Sequence, residues 1–111
     1  NLKKILGVKY VILTNSGTSA LFMATMVALI RQKGRVFCPI MTWSGTINGA
    51  LHAKKNVTFI DNVKNSSNAN YFSLSSKIKQ KDILFITHLN GKSAYNNKTF
   101  KMIKKKKSFC H

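Results

Sequence analysis

Apolar residues arrive in short bursts along the chain, and their spacing changes from one burst to the next. Tyr10 to Thr14, YVILT, is β-branched and aromatic and predicts a buried strand. Asn15-Ser16-Gly17 interrupts it. From Thr18 the residues favour a helix (Ala20, Leu21, Met23, Ala24, Met26, Ala28, Leu29), with Gly34 as its stop after Arg31 and Lys33. This helix is apolar nearly all round, so it is expected to lie sandwiched inside a larger protein. RVFCPI predicts a second strand ended by Pro39. Met41 to Lys55 reads as a loop and then a short helix around Thr46 to Ala53. VTFID, Val57 to Asp61, is the third strand, and the asparagine- and serine-rich stretch from Asn62 to Tyr71 is a loop. Leu74 to Lys79 predicts a brief helix, and ILFITHL, Ile83 to Leu89, the fourth strand before an Asn90-Gly91 turn. Thr99 to Lys107 completes the series as an amphipathic helix with a lysine-rich outer face.

Strands alternating with helices predict an α/β fold, a mostly parallel sheet with helices on both faces. No internal repeat or low-complexity linker divides the chain, and 111 residues make at most one domain. Ligands of such sheets bind outside the C-terminal ends of the strands. That brings three stretches to one rim: Asn15 to Ser19, Thr42 to Ser44, and His88 to Gly91.

Composition narrows the picture. A hydrophobic fraction of 44% is too high for a disordered chain. The charge balance is extreme, 17 lysines plus Arg31 and Arg35 against two acids, for a net of +17. Such a charge invites a nucleic-acid reading. The pattern argues against it, because the lysines cluster at element ends and the phenylalanines sit inside apolar runs, not interleaved as stacking platforms. The excess reads instead as solvated lysine drift. Cys38 and Cys110 lack metal-ligand spacing and read as free thiols of a reducing cytoplasm. The longest apolar run, Ala20 to Ile30, is too short to span a membrane. No signal-peptide pattern is visible. The chain lacks an initial Met and stops on SFCH, so both ends read as cuts. Asp61 ends the third strand and Asp82 opens the fourth as a turn residue; with only these two acids, no paired-carboxylate or metal site is expected.

The stretch TNSGTSAL, Thr14 to Leu21, has two readings. The amides of Gly17, Thr18 and Ser19 would point out of a helix N-terminus and suit a phosphate. Equally, Ser16 or Thr18 could be an ordinary N-cap. There is no Walker lysine and no GxGxxG. Trp43, the one tryptophan, could stack on an aromatic cofactor or pack in the core. His88 could orient a ligand or serve the fold alone.

TNSGTSAL (14–21), VFCPIMTW (36–43), VTFID (57–61) and THLNG (87–91) together resemble the vitamin-B6-dependent sugar aminotransferases of the DegT group, which have fold type I. The order and gaps are similar over nearly all of the chain. The resemblance implies that residues 1–111 are the N-terminal part of such an enzyme's large domain, with no second domain. It implies that Gly17, Thr18 and Ser19 hold the phosphate of pyridoxal 5′-phosphate, that Trp43 stacks on its ring, and that His88 lies near the cofactor floor. The whole enzyme would be a cytoplasmic homodimer that moves an amino group, from glutamate, to a keto-sugar nucleotide for surface polysaccharide or related amino-sugar synthesis.

Three departures qualify this. Asn90 stands where the family has tyrosine, Tyr95 and Asn97 replace acidic positions, and the aspartate and lysine that work on the cofactor come later in the family pattern. No catalytic residue is therefore expected within these residues, and the piece alone should be inactive. The alternatives are a small lysine-rich protein that binds RNA or another anion, and a dehydratase of the same superfamily. Salt separates the first of these. A phosphate-contacting binder should lose orders of magnitude in affinity between about 50 and 200 mM salt. The expected result in a filter-binding titration with single-stranded RNA is no such salt-sensitive binding.

Overall fold

The computed structural model describes residues 1–94, 96–106 and 109–110, with the backbone alone at Lys106, Phe109 and Cys110. Its centre is a parallel sheet of four strands: β1 (Val36–Pro39), β2 (Val57–Ile60), β3 (Ile83–Leu84) and β4 (Phe109–Cys110), in the order β2-β1-β3-β4. Val36 faces Val57 on one side and Ile83 on the other. Side chains alternate across each strand, so the sheet buries both faces. Val36, Cys38, Ile83 and Phe85 pack on one side with Ala28 of α2 (Gly17–Arg31) and Ala50 of α3 (Asn48–His52). Phe37, Leu84 and Ile60 pack on the other with Tyr71, Ile78, and Met102 and Ile103 of α4 (Asn97–Lys106). A short α1 (Leu2–Leu6), closed by Gly7 in the left-handed region (φ 64°), precedes them and is not evident in the periodicity.

This is the expected α/β class with helices on both faces. The strand order also contains a switch: β2 lies to one side of β1 and β3 to the other. The chain leaving β1 turns to the α2–α3 face, and the chain leaving β3 runs toward α4 on the opposite face. Two connections that part at neighbouring strand ends leave a crevice between them.

Several local expectations are corrected. Tyr10 to Thr14 is not a buried strand: it pairs with no described strand, and Ile12 and Leu13 are 73% and 77% exposed. Both sides of β1 are occupied by β2 and β3, and strand propensity gives a ladder only where a neighbour pairs with it. α2 buries Thr25 and Ala28 and leaves Met23, Val27 and Ile30 exposed among the described residues. Gly34 does not close it; the helix ends at Gln32, and Gly34 allows close approach to the Lys81 carbonyl, where a Cβ would collide. β3 forms only two pairs before the chain leaves the ladder. The brief helix expected from Leu74 is a 3-10 turn over Tyr71–Leu74, and the helix expected around Thr46 is a 3-10 turn, Ser44–Thr46, followed by α3. α4 begins at Asn97, capped by the Asn96 side chain, which accepts from the Thr99 and Lys98 amides at 3.1 Å each. Lys107, the expected end of α4, and Tyr95 lie outside the described residues. No helix among those described is long and apolar enough to cross a membrane.

Asp82 is more than a turn residue. Its buried carboxylate accepts from the Arg35 amide (2.9 Å), the Arg35 guanidinium (2.9 Å) and the Lys79 amide (2.8 Å), tying the entry of β3 to that of β1. Burial alone would raise this carboxyl, but the Arg35 side chain, the two amides and the Arg35 charge outweigh it and hold it below its ordinary value of 3.8. A depressed folded value means that the contribution is complete above the unfolded value and is lost as pH falls through the folded one. Asp82→Asn should therefore cost about 2 kcal/mol at neutral pH, the range for a buried charged hydrogen-bond acceptor. Urea denaturation should show that deficit, and the gap from the unsubstituted protein should narrow below pH 4, roughly where the unfolded carboxyl titrates.

Candidate functional site

Ser16, in extended conformation, is the N-cap of α2: its hydroxyl accepts from the Ser19 amide at 3.1 Å. The Ser19 hydroxyl turns back to donate to Asn15 Oδ1 at 3.0 Å. The first backbone bond of the helix joins the Ala20 amide to the Ser16 carbonyl at 3.1 Å, so the Gly17 and Thr18 amides precede any intrahelical acceptor. The turn carries no acidic side chain, which leaves the positive end of a 15-residue dipole uncompensated. Nothing lies within 4 Å of the point where a Gly17 Cβ would be, so the backbone there is open to a ligand. The cap thus uses Ser16 and Ser19 and leaves the Gly17 and Thr18 amides without an intrahelical acceptor.

The crevice at the strand switch is a cavity of about 390 Å³ lined by Leu21 of α2, Thr42 and Trp43 after β1, Thr46, and Phe85 to Asn90 along the chain from β3. Trp43 is 74% exposed, which excludes the core-packing reading. Gly45 brings this wall against α2: a Cβ there would lie 2.9 Å from Thr18 Oγ1 and 3.1 Å from Trp43 Cδ1. Thr18 and Trp43 therefore meet at one spot beside the cavity. His88 Nδ1 accepts from the Ala94 amide at 3.0 Å, which assigns the neutral ring's proton to Nε2. Asn90, on the same wall, adopts a left-handed conformation (φ 54°) that asparagine tolerates well.

Of the five candidate residues, Trp43 and His88 line one cavity, and Thr18 packs beside Gly45 and Trp43 without lining it. Gly17 and Ser19 do not line it; they stand on the adjoining turn. Two slightly larger concavities, about 450 and 440 Å³, lie elsewhere, one walled by Asn68, Asn70 and Asn96, the other between Tyr10 to Thr14 and α2. Neither is at the switch point. Burial pushes the Cys38 thiol up to about 12, so it stays protonated and inert. The Cys110 side chain lies outside the described residues. Sequence reasoning placed Thr42 on the rim but missed Thr46 and Thr87 and the hydroxyl link among the three, because no chain periodicity joins Thr42 to Thr87 across 45 positions.

The parallel sheet with helices on both faces is the fold of the solved structures that resemble this chain, several of which hold PLP or PMP. Residues 1–109 match the model of the DegT/DnrJ/EryC1/StrS aminotransferase family, and the chain belongs to that family. A sugar aminotransferase from Streptococcus pneumoniae, solved in its PLP form, aligns at 22% identity and TM-score 0.70 over 87% of this chain and 25% of its own. The GDP-4-keto-6-deoxy-D-mannose-3-dehydratase of E. coli, with hydrated PLP, aligns at 23% and 0.75 over 98% and 30%. The histidinol-phosphate aminotransferase of Clostridium acetobutylicum aligns at 19% and 0.69 over 98% and 33%. The chain thus spans a quarter to a third of these relatives. No curated protein matches the sequence.

The contact at Gly45 is testable directly. Gly45→Ala should displace the Thr18 and Trp43 side chains and cost about 1–3 kcal/mol, the range for overpacking a close contact. Since Trp43 is the one tryptophan, a shift of its emission should accompany the fall in the denaturation midpoint.

Proposed function

We propose that this chain builds the phosphate and ring subsites of a pyridoxal-5′-phosphate enzyme that transfers an amino group to a keto-sugar nucleotide. The observation that carries the reading is the juxtaposition of the α2 N-terminus with the cavity between Trp43 and His88. When bound, the cofactor supplies an aldehyde that exchanges its oxygen for an amino group and a pyridine ring that spreads the charge developed on substrate carbon. The amides of Gly17 and Thr18 hold the phosphate and the Thr18 hydroxyl adds a donor. Ser19 holds the turn in shape, with its amide on the Ser16 cap and its hydroxyl on Asn15, and reaches the phosphate only by releasing Asn15. Trp43 covers the ring and excludes water from one side. His88 stands on the cavity wall with its Nδ1 on the Ala94 amide.

Among the described residues no lysine lines the cavity, which supports a division of labour: these residues bind, while the lysine and aspartate of the family's chemistry come from outside them. Glutamate as amino donor, a cytoplasmic homodimer as the working form, and a place in amino-sugar or surface-polysaccharide synthesis complete the reading. A dehydratase relative would use the same binding residues, and the two differ in what stands at the lysine position.

Binding can be measured without turnover. Pyridoxamine 5′-phosphate has the ring and phosphate but no aldehyde to react with the 17 lysines. It should quench Trp43 emission saturably, inorganic phosphate should compete, and pyridoxamine without phosphate should have little effect. Gly17→Asp places a carboxylate where the helix dipole welcomes it but a phosphate does not, so it should spare stability and weaken binding about tenfold or more. Equal affinity in the two proteins would overturn the phosphate assignment.

A further inference from the structure

Between β1 and β3 the ladder is short. Its last rung is the Phe85 amide donating to the Phe37 carbonyl at 2.9 Å. Beyond it the chain after β1 bonds toward β2, through the Ile40 amide to the Ile60 carbonyl at 3.0 Å, and the chain after β3 departs for the other face. The cavity opens in the gap. One link spans it: Thr42 Oγ1 lies 3.1 Å from Thr87 Oγ1 and 3.0 Å from Thr46 Oγ1. The far anchor is firm, because the Thr87 amide donates at 3.0 Å to the hydroxyl of Tyr71, a core residue only 2% exposed. Trp43 directly follows Thr42, and His88 directly follows Thr87.

We propose that Thr42 is a positioning residue whose hydroxyl, shared with Thr87 and Thr46, sets the separation of the Trp43 and His88 walls and so the affinity of the cavity for a planar phosphorylated ring. The inference rests on the binding role proposed above. A threonine suits the task because its β-branch restricts χ1, which makes the hydroxyl a stiff strut. A hydroxyl donates once and accepts twice, so Thr42 can serve both partners while the three-residue chain keeps one donor to spare for the cavity that all three line. The two backbones it joins are outside the ladder at this level, so no rung of the sheet substitutes for it.

Thr42→Val keeps the branching and removes the hub. Thr42→Ser keeps the hydroxyl. Thr87→Val cuts the spanning arm alone, and remains informative should Thr42→Val fold poorly. Pyridoxamine 5′-phosphate affinity is read from Trp43 quenching, the ligand-free site from acrylamide quenching of Trp43, and stability from urea midpoints. Thr42→Val and Thr87→Val should each weaken binding about tenfold, the double variant no more than either single, and Thr42→Ser should stay near the unsubstituted protein. Unchanged affinity in Thr42→Val, equal damage in Thr42→Ser, or additive losses in the double variant would each overturn the proposal. If the unsubstituted protein does not bind the probe, the binding role itself falls. The hub is then judged on acrylamide access to Trp43, which should rise in Thr42→Val; no rise would overturn it too.

Discussion

The rim depends on β1 and β3 lying side by side for only two residue pairs and then separating. Below, Asp82 clamps the entries of the two strands through Arg35 and Lys79. Above, the Thr42–Thr87 hydroxyl pair joins them again. The space between these ties is where the cavity forms, and the chain reaches it from both faces of the sheet because the strand order switches there. Remove the adjacency and Trp43, Thr18 and His88 no longer have a common place to meet.

Charge plays a different part from the one that +17 suggests at first sight. Only Arg35–Asp82 is recorded as an ion pair among the described residues, and Lys98, Lys101, Lys104 and Lys105 lie on the exposed side of α4 while Met102 and Ile103 face the core. The lysines are mostly solvated. The localised positive field is instead that of two neutral amides and an uncompensated helix dipole at Gly17 and Thr18.

The other apolar surface is the groove of Tyr10, Ile12 and Thr14 against Met23 and Val27 of α2. Its extended segment has strand-like composition without a paired edge, and an exposed apolar edge is an aggregation liability. The chain spans only a quarter to a third of its solved relatives.

The sequence by itself determined the units and their class. Ser16 as cap, Pro39 as strand end, the lysine face of α4 and the βα alternation all follow from chemistry among chain neighbours, as does the family motif TNSGTSAL. Tyr10 to Thr14 failed by the same logic: its local preference is for strand, but pairing is a property of a neighbour, and none of the described strands pairs with it. Which residues meet was decided by the tertiary structure alone. Thr42 finds Thr87 across 45 residues and Arg35 finds Asp82 across 47, because strand register and the switch point set those encounters. Local propensity carries no information about register, so Trp43 and His88 could be named from the chain, but the hydroxyls that hold them apart could not.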